Sequence, residues 1–276
     1  MTITATVIAH SIALHSPPLT TLQLRYPKFI HSEFMTHRVF SRNASSSRAV
    51  PVERLIKDIE LDPVIPSFWG KNQSGMQAHE ECDAEVALGD FLWSRQEAWH
   101  LALNGAIVMA RAFAKAGYHK QIVNRLLEPF SHINVVITAT EWDNFFNLRC
   151  HPDAQPEMRL LAEAIRAAIN NAAARVIDQG RWHLPYVDPD QDIPQTLQIK
   201  VSVARCARVS YLTTEGKRPT IDEDLQLYDR LMQATPLHAS PAEHQATPQQ
   251  GPCANFTGWL QWRQVFSRRA IKGIVT

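Results

Sequence analysis

The stretch THRVFSRNASSSR at residues 36–48 places His37, Arg38 and Arg48 around a run of small polar side chains. Serine and asparagine favour turns whose backbone N–H groups point outward, and guanidinium groups donate paired hydrogen bonds to phosphate oxygens. We therefore predict an anion-binding loop, with turns favoured by Ser41, Asn43, Ser45, Ser46 and Ser47. The residues alone leave open a polar surface loop that carries cations by chance.

The spacing within this loop resembles a family signature. The pattern His-Arg-x-x-Ser-x-Asn-x-x-Ser-x-Arg, which runs from His37 to Arg48, closely resembles that of the flavin-dependent thymidylate synthases. Because the signature is long, a chance match is a poor explanation.

Two further segments resemble the same family. Residues 144–149 (NFFNLR), followed by residues 154–157 (AQPE), are similar to the segment in which the family places its catalytic arginine, here Arg149. Residues 124–129 (NRLLEP) are similar to the stretch Ala-Arg-x-x-Leu-Pro. Its arginine holds the nucleotide phosphate in the family, and that role falls to Arg125.

The last matching segments lie near the C-terminus. Residues 207–211 (ARVSY) and 238–244 (HASPAEH) resemble flavin-contacting segments that precede the anion loop in the family, whereas here they follow it. We interpret this order as a circular permutation that starts at the strand of residues 21–26. Permutation requires an exposed break, and the Pro- and Gln-rich residues 246–252 are predicted to form such a loop.

Apolar periodicity indicates a mixed architecture. Alternation predicts strands at residues 3–9, 19–26, 133–138 and 197–203, and helical spacing predicts helices at 52–59, 79–115, 119–127, 154–177 and 221–233. Thr220 and Asp222 are N-cap candidates for the last helix. We expect one α+β domain over residues 1–276, with long helices on a mainly antiparallel sheet. The resemblance implies the flavin-dependent thymidylate synthase fold, with its segments in permuted order.

Composition excludes several classes of function. The net charge of +1 favours neither nucleic acid nor membrane partners, and neither a spanning apolar run nor a secretory leader is present, so we expect a cytoplasmic protein. The four cysteines are scattered, which argues against a disulfide framework and a metal site. The ten glycines form neither a Rossmann nor a P-loop pattern.

The resemblance implies a reaction: transfer of a one-carbon unit from methylenetetrahydrofolate to C5 of a pyrimidine deoxynucleotide, dUMP to dTMP, with FAD as cofactor and NADPH as its reductant. Without a cysteine nucleophile the enzyme must polarise the ring. An arginine serves this purpose because it stays cationic and stabilises developing negative charge.

The resemblance also assigns roles to residues. Arg149 is the catalytic residue and contacts the substrate, and the phosphate ligands are Ser46, Ser47, Arg48 and Arg125. The flavin ligands are His37, Arg38, Asn144, Leu148, Ser210, His238, Ser240 and Glu243. Family members are homotetramers with shared sites, so we expect a homotetramer. The alternative for Arg149 is a buried salt bridge with Asp153 or Glu157, and for His238 and Glu243 it is a polar helix terminus.

Several site positions depart from the family. Glu33, Thr36, Ala44 and Ala49 replace polar residues of different character, and Thr138 and Thr140 replace an Asn-x-Arg pair. These changes leave open another pyrimidine such as dCMP, hydroxymethylation rather than methylation, and an inactive nucleotide-binding or assembly protein on the same scaffold. Residues 68–75 (FWGKNQSG) form either a surface loop or a substrate lid.

Overall fold

The computed structural model describes residues 1–188, 192–209 and 219–266. The strands are β1 Thr4–Ala13, β2 Ser16–Pro27, β3 Ser41–Ala44, β4 Val86–Leu88, β5 Phe91–Trp93, β6 His132–Ala139, β7 Arg175–Val176, β8 Ala246–Cys253 and β9 Phe256–Gln261. The α-helices are α1 His31–Phe34, α2 Val52–Leu61, α3 Arg95–Lys115, α4 Lys120–Val123, α5 Asp143–Arg149, α6 Pro156–Asn170, α7 Gln195–Ala207 and α8 Ile221–Met232. Three 3₁₀ helices lie at Lys28–Ile30, Asn124–Phe130 and Ser240–Glu243.

A five-stranded sheet in the order β3-β6-β2-β1-β7 forms the centre of the molecule. All its pairs are antiparallel except that of β1 with the short β7. On β2, Leu22, Leu24 and Tyr26 are fully buried on one face, while Thr21 points to the other. This alternation places the apolar residues against α5 and α6. The prediction of an α+β fold with a mainly antiparallel sheet is confirmed.

Helix α6 covers the apolar face. Met158, Leu161, Ala162 and Ile165 are fully buried at a spacing of three or four residues, so one stripe faces the sheet. The prediction that this helix reaches residue 177 is wrong, because the helix ends with Asn171 as its C-cap and the backbone at 175–177 pairs with β1.

Three other predictions of secondary structure are wrong. Residues 197–203 lie within helix α7, whose residues are buried on several sides, so periodicity cannot distinguish it from a strand. The helix predicted from residue 79 begins only after the N-cap Ser94, and residues 86–93 form a hairpin that turns at Gly89. Residues 246–252 form β8, which pairs with β9, rather than an exposed loop.

The C-terminal half covers the other face of the sheet. Helices α7 and α8 pack together, and the fully buried Asp224 accepts hydrogen bonds from Nε of Arg205 (2.8 Å) and Nε of Arg208 (3.0 Å). Thr220 caps α8 as predicted, in a capping box with Glu223. Among the described residues, no helix has the length and apolarity needed to cross a membrane.

A chain of buried polar side chains joins the sheet to this C-terminal half. Ser11 Oγ lies 2.7 Å from His183 Nδ1, and His183 Nε2 lies 2.8 Å from Thr21 Oγ1. Thr138 Oγ1 continues the chain, 2.7 Å from Thr21 Oγ1 and 2.8 Å from His244 Nδ1. We name these five residues the buried polar chain. Within it, His183 bridges Ser11 on β1 and Thr21 on β2.

The buried polar chain makes stability depend on pH. Burial lowers the pKa of His183 and of His244 from 6.5 to about 3, so both imidazoles are neutral in the folded protein. The unfolded chain takes up these protons as the pH falls below 6.5, but the folded chain does not. The contribution of each histidine is therefore complete above pH 6.5 and is lost as the pH falls towards 3.

We predict that the free energy of unfolding falls between pH 6.5 and pH 4 by up to about 1.4 kcal/mol per pH unit for each of these histidines. The variant His183→Gln should show a shallower pH dependence by about that amount, measured by urea unfolding at several pH values. Exposed His79 is the control, and His79→Gln should keep the original slope. An unchanged slope in His183→Gln would contradict the prediction.

Candidate active site

Arg149 ends helix α5 and points at the segment that contains the His-Arg motif. Its Nε donates to His37 Nε2 (2.9 Å) and its Nη2 donates to Thr36 Oγ1 (3.3 Å). Its Nη1 lies 3.9 Å from the carboxylate of Glu33. The alternative of a salt bridge to Asp153 or Glu157 is wrong, because Asp153 lies beside His151 and Glu157 accepts from Ser67.

His37 is neutral and serves as an acceptor for Arg149. Burial, Arg149 and Arg42 together lower the pKa of His37 to about 4. Its ring stacks on Phe40 and meets the edge of Phe145, with centroids 5.9 and 4.9 Å away. Because Nε2 accepts a hydrogen bond, the proton of the neutral ring lies on Nδ1. Arg42, which sequence reasoning did not single out, fixes this turn by donating to the carbonyls of Met35 and His37.

A cavity of about 1420 Å³ opens beside Arg149. Glu33 and Leu148 also line it, as do parts of residues 66–79 and 151–160. Phe68 and Gly70 belong to the predicted surface loop or lid. This segment is anchored just before its start by the bond of Ser67 to Glu157 and within it by the β-bridge of Gly70 with Glu81. It therefore forms a wall of the cavity, and its movement as a lid stays a prediction.

The predicted phosphate ligands meet at a second place. Ser47 Oγ and Arg125 Nη1 both donate to Glu128 Oε1, at 3.1 and 2.9 Å, and Lys28 Nζ lies 2.5 Å from the same oxygen. The adjacent turn holds Ser46, whose Oγ accepts from the backbone N–H of Arg48 (3.3 Å). We name this group the anion cluster, formed by Lys28, Ser46, Ser47, Arg48, Arg125 and Glu128.

The serine turn is shorter than the sequence predicted. Residues 41–44 form β3, paired with β6, and Ser45 continues this pairing through Asn134, so only residues 46–49 form a turn. Asn124 holds that turn by donating to the carbonyls of Ser47 (2.7 Å) and Val50 (2.9 Å). Lys28 and Glu128 had no role predicted from the sequence. In the chain they come directly before Phe29 and Pro129, and these two residues line the cavity. Ser46, Ser47, Arg48 and Arg125 are not part of that wall as described.

The two motif regions that are about 200 residues apart in sequence lie side by side. Gln261 Nε2 donates to Ser41 Oγ (3.0 Å) and to the carbonyl of Glu243 (3.1 Å), which joins β3 to the 3₁₀ helix Ser240–Glu243. The carboxylate of Glu243 pairs with Arg263. Other predicted flavin ligands are exposed, namely Arg38, Asn144, Leu148, His238 and Ser240. Ser210 lies outside the described residues.

Two buried atoms near this junction fit a polar ligand. Nε2 of His244 and Oδ1 of Asn43 are buried without a hydrogen-bond partner among the described residues. A flavin ring has both donors and acceptors along one edge, so the two atoms suit it. The threonines that replace the family's Asn-x-Arg pair do not add to this set. Thr138 bonds within the buried polar chain, and Thr140 Oγ1 accepts from the N–H of Thr257.

Solved structures similar to this chain include two structures of one protein. A UMP/dUMP methylase, PolB from Streptomyces cacaoi bound with 5-Br dUMP, is 15% identical, covers 60% of this chain and 89% of its own, and has a TM-score of 0.41. The same methylase bound with 5-Br UMP is 18% identical, covers 55% and 67%, and has a TM-score of 0.38. No curated protein matches the chain.

Comparison with protein families gives a longer match. Residues 11–173 match the family described as thymidylate synthase complementing protein, Thy1. The matched region extends from β1 to just beyond α6, and it contains the His-Arg motif, Arg125 and Arg149. The resemblance stated from the motifs is therefore confirmed, and the chain belongs to the Thy1 family of thymidylate synthase-like enzymes.

Proposed function

We propose that this enzyme uses FAD to transfer a one-carbon unit from methylenetetrahydrofolate to C5 of a pyrimidine deoxynucleotide, converting dUMP to dTMP. The observation that carries the proposal is the position of Arg149, whose guanidinium lines a large cavity and is held by neutral His37 and Thr36. An inactive scaffold protein would have no need to orient this cation.

The residues of the site account for the chemistry on the nucleotide. Arg149 would donate to the pyrimidine ring and stabilise the negative charge that develops as C5 forms its new bond. Bound FAD, reduced by NADPH, would supply the hydride. The ligands that we propose for it are His37, Arg38, Asn144, Leu148, Ser210, His238, Ser240 and Glu243, and the contact between β3 and Ser240–Glu243 supports the permuted segment order.

The first test separates catalysis from phosphate binding. Arg149→Ala should lower turnover by a factor on the order of 100 or more, because it removes stabilisation that is specific to the transition state. Arg125→Ala should mainly raise KM, because the phosphate contact is the same in ground and transition states. Arg149→Lys should restore little, since an ammonium lacks the planar arrangement of donors.

The assay follows products by mass spectrometry after incubation of dUMP with FAD, methylenetetrahydrofolate and NADPH. The product mass distinguishes methylation from hydroxymethylation, and flavin absorbance after desalting checks that both variants keep their FAD. Normal turnover of Arg149→Ala with intact flavin would count against the proposed role. Absence of flavin and product in the unmodified protein would favour the inactive scaffold.

We also propose that the enzyme is a homotetramer whose sites combine residues of different subunits. Arg149 lines the cavity, whereas the proposed phosphate ligands lie outside its described wall, a separation that a site shared between subunits would account for. Helix α3 exposes Leu101, Val108 and Met109 at helical spacing, and Val108 is 65% exposed. An apolar face of this kind suits burial against another copy.

Val108→Glu combined with Met109→Glu should therefore dissociate the assembly and lower activity, because a charge buried without a partner is costly. Sedimentation should show a mass of four times the 31.2 kDa chain for the unmodified protein and a smaller mass for the variant. Gln96→Glu, an exposed change on the same helix, is the control. A monomeric unmodified protein with full activity would contradict the proposal.

Glu33 favours dCMP as a second candidate substrate. Its carboxylate lies beside Arg149 in the cavity. A carboxylate accepts from the 4-amino group of cytosine and repels the carbonyl oxygen that uracil has there. Arg149 would then donate to the acceptor atoms of the cytosine ring.

If cytosine is the base, Glu33→Gln should shift the ratio of kcat/KM for dCMP over dUMP towards dUMP by at least about tenfold, because the amide can donate to the uracil oxygen. Competition between the two nucleotides, followed by product mass, measures this ratio. Exposed Glu85 supplies the control variant Glu85→Gln. Exclusive use of dUMP by the unmodified enzyme, with no effect of Glu33→Gln, would exclude this candidate.

A further inference from the structure

Glu128 occupies an unexpected position within the anion cluster. The family stretch similar to residues 124–129 has leucine where this chain has Glu128. Its single oxygen Oε1 takes donors from three residues, Lys28, Ser47 and Arg125. Two of these three, Ser47 and Arg125, are the residues that we propose as phosphate ligands.

The three contacts differ in how easily they can be exchanged. The side chains of Lys28 and Glu128 are 17% and 24% exposed, so this ion pair is largely shielded from water. The side chain of Arg125 is 60% exposed, and such a pair contributes little net free energy. Burial tends to raise the pKa of Glu128, but the hydrogen bonds from Lys28 and Ser47 together with Arg125 lower it. The carboxylate is therefore an anion throughout the neutral range.

We propose that Glu128 is an internal competitor for the nucleotide phosphate. Its carboxylate engages Arg125 and Ser47 as a phosphate would, and a phosphate monoester takes over these two donors while Glu128 stays paired with Lys28. A dianionic phosphate offers more charge and more acceptor oxygens than one carboxylate oxygen, so it displaces the contact. Ligands without a phosphate do not need these donors, so Glu128 weakens the binding of nucleotides and leaves the binding of nucleosides unchanged.

This inference rests on the proposed function, since it assigns the phosphate to the anion cluster. The geometry supports it independently of the base, because dUMP and dCMP share the same phosphate. Asn124 fixes the turn of Ser46 and Ser47 by donating to the carbonyls of Ser47 and Val50. Ser47 therefore keeps its place when the phosphate replaces Glu128.

The test measures the binding of inorganic phosphate, dUMP and dCMP by calorimetric titration. Glu128→Gln should tighten the binding of phosphate and of the nucleotide by about two- to fivefold, the factor that corresponds to losing one largely exposed ion pair. Glu163→Gln, which removes a carboxylate paired with Arg159 on α6, is the matched control and should bind as the unmodified protein does.

A double-variant cycle separates direct competition from a general effect of charge. In the Arg125→Ala background, Glu128→Gln should give little further tightening, because the shared donor is gone. Equal tightening with and without Arg125, or weaker binding in Glu128→Gln, would overturn the proposal. Melting temperatures show whether the variants are folded, and a destabilised Glu128→Gln is replaced by Glu128→Met, which is expected to tighten binding equally.

The outcome is distinguishable from failure of the proposed function. Tighter phosphate binding that depends on Arg125, without any product from either nucleotide, would support the competition by Glu128 and reject the enzyme activity. Product formation, with the same nucleotide affinity in Glu128→Gln as in the unmodified enzyme, would support the activity and reject the competition.

Discussion

The hydroxyl of Thr138, buried in the middle of β6, bonds to Thr21 on the neighbouring strand and to His244 in the C-terminal half. A hydroxyl has one proton, so it donates to one partner and accepts from the other, and each neutral imidazole likewise has one donor and one acceptor. The direction of every bond from Ser11 to His244 is thus set by its neighbours. An additional proton on His183 turns its accepting nitrogen into a donor and breaks this order, and burial disfavours the charged ring.

The buried polar chain explains how segments that are distant in sequence lie side by side. The 3₁₀ helix Ser240–Glu243 lies against β3 because His244 is bonded to β6 and Gln261 is bonded to Ser41. In the family these segments precede the anion loop, and here they follow it, but contacts within the sheet do not depend on chain order. A permutation keeps such contacts when the connection between segments can be cut on the surface. The observed contact between β3 and residues 240–243 is what this interpretation requires.

The sequence predicted the parts of the site that depend on local patterns. Arg149 and His37, which the structure brings within hydrogen-bond distance, were singled out because their motifs are long, and strands β2 and β6 because their residues alternate. Arg42, Glu128 and His183 were not singled out, because they act through residues far along the chain or through backbone carbonyls. The predictions of a strand at residues 197–203 and of a loop at residues 246–252 were wrong because both depend on tertiary contacts. Burial on several sides hides the helical periodicity of α7, and β8 forms because it pairs with β9.

Glu128 and Glu33 stand where the family has other residues, and they lie beside Arg125 and Arg149 respectively. The distance between each carboxylate and its arginine determines whether the two form a hydrogen bond. Glu128 is hydrogen-bonded to Arg125 at 2.9 Å, so in the absence of a phosphate its carboxylate neutralises part of the positive charge of Arg125. Glu33 is 3.9 Å from Arg149, beyond hydrogen-bond length, and Arg149 donates instead to the neutral acceptors His37 and Thr36. Neutral acceptors orient a guanidinium without cancelling its charge. Coulomb attraction to Glu33 at 3.9 Å compensates only part of the charge of Arg149. Under the proposed function, Arg149 would stabilise a ring that gains electron density, and Arg125 would exchange one anion for another.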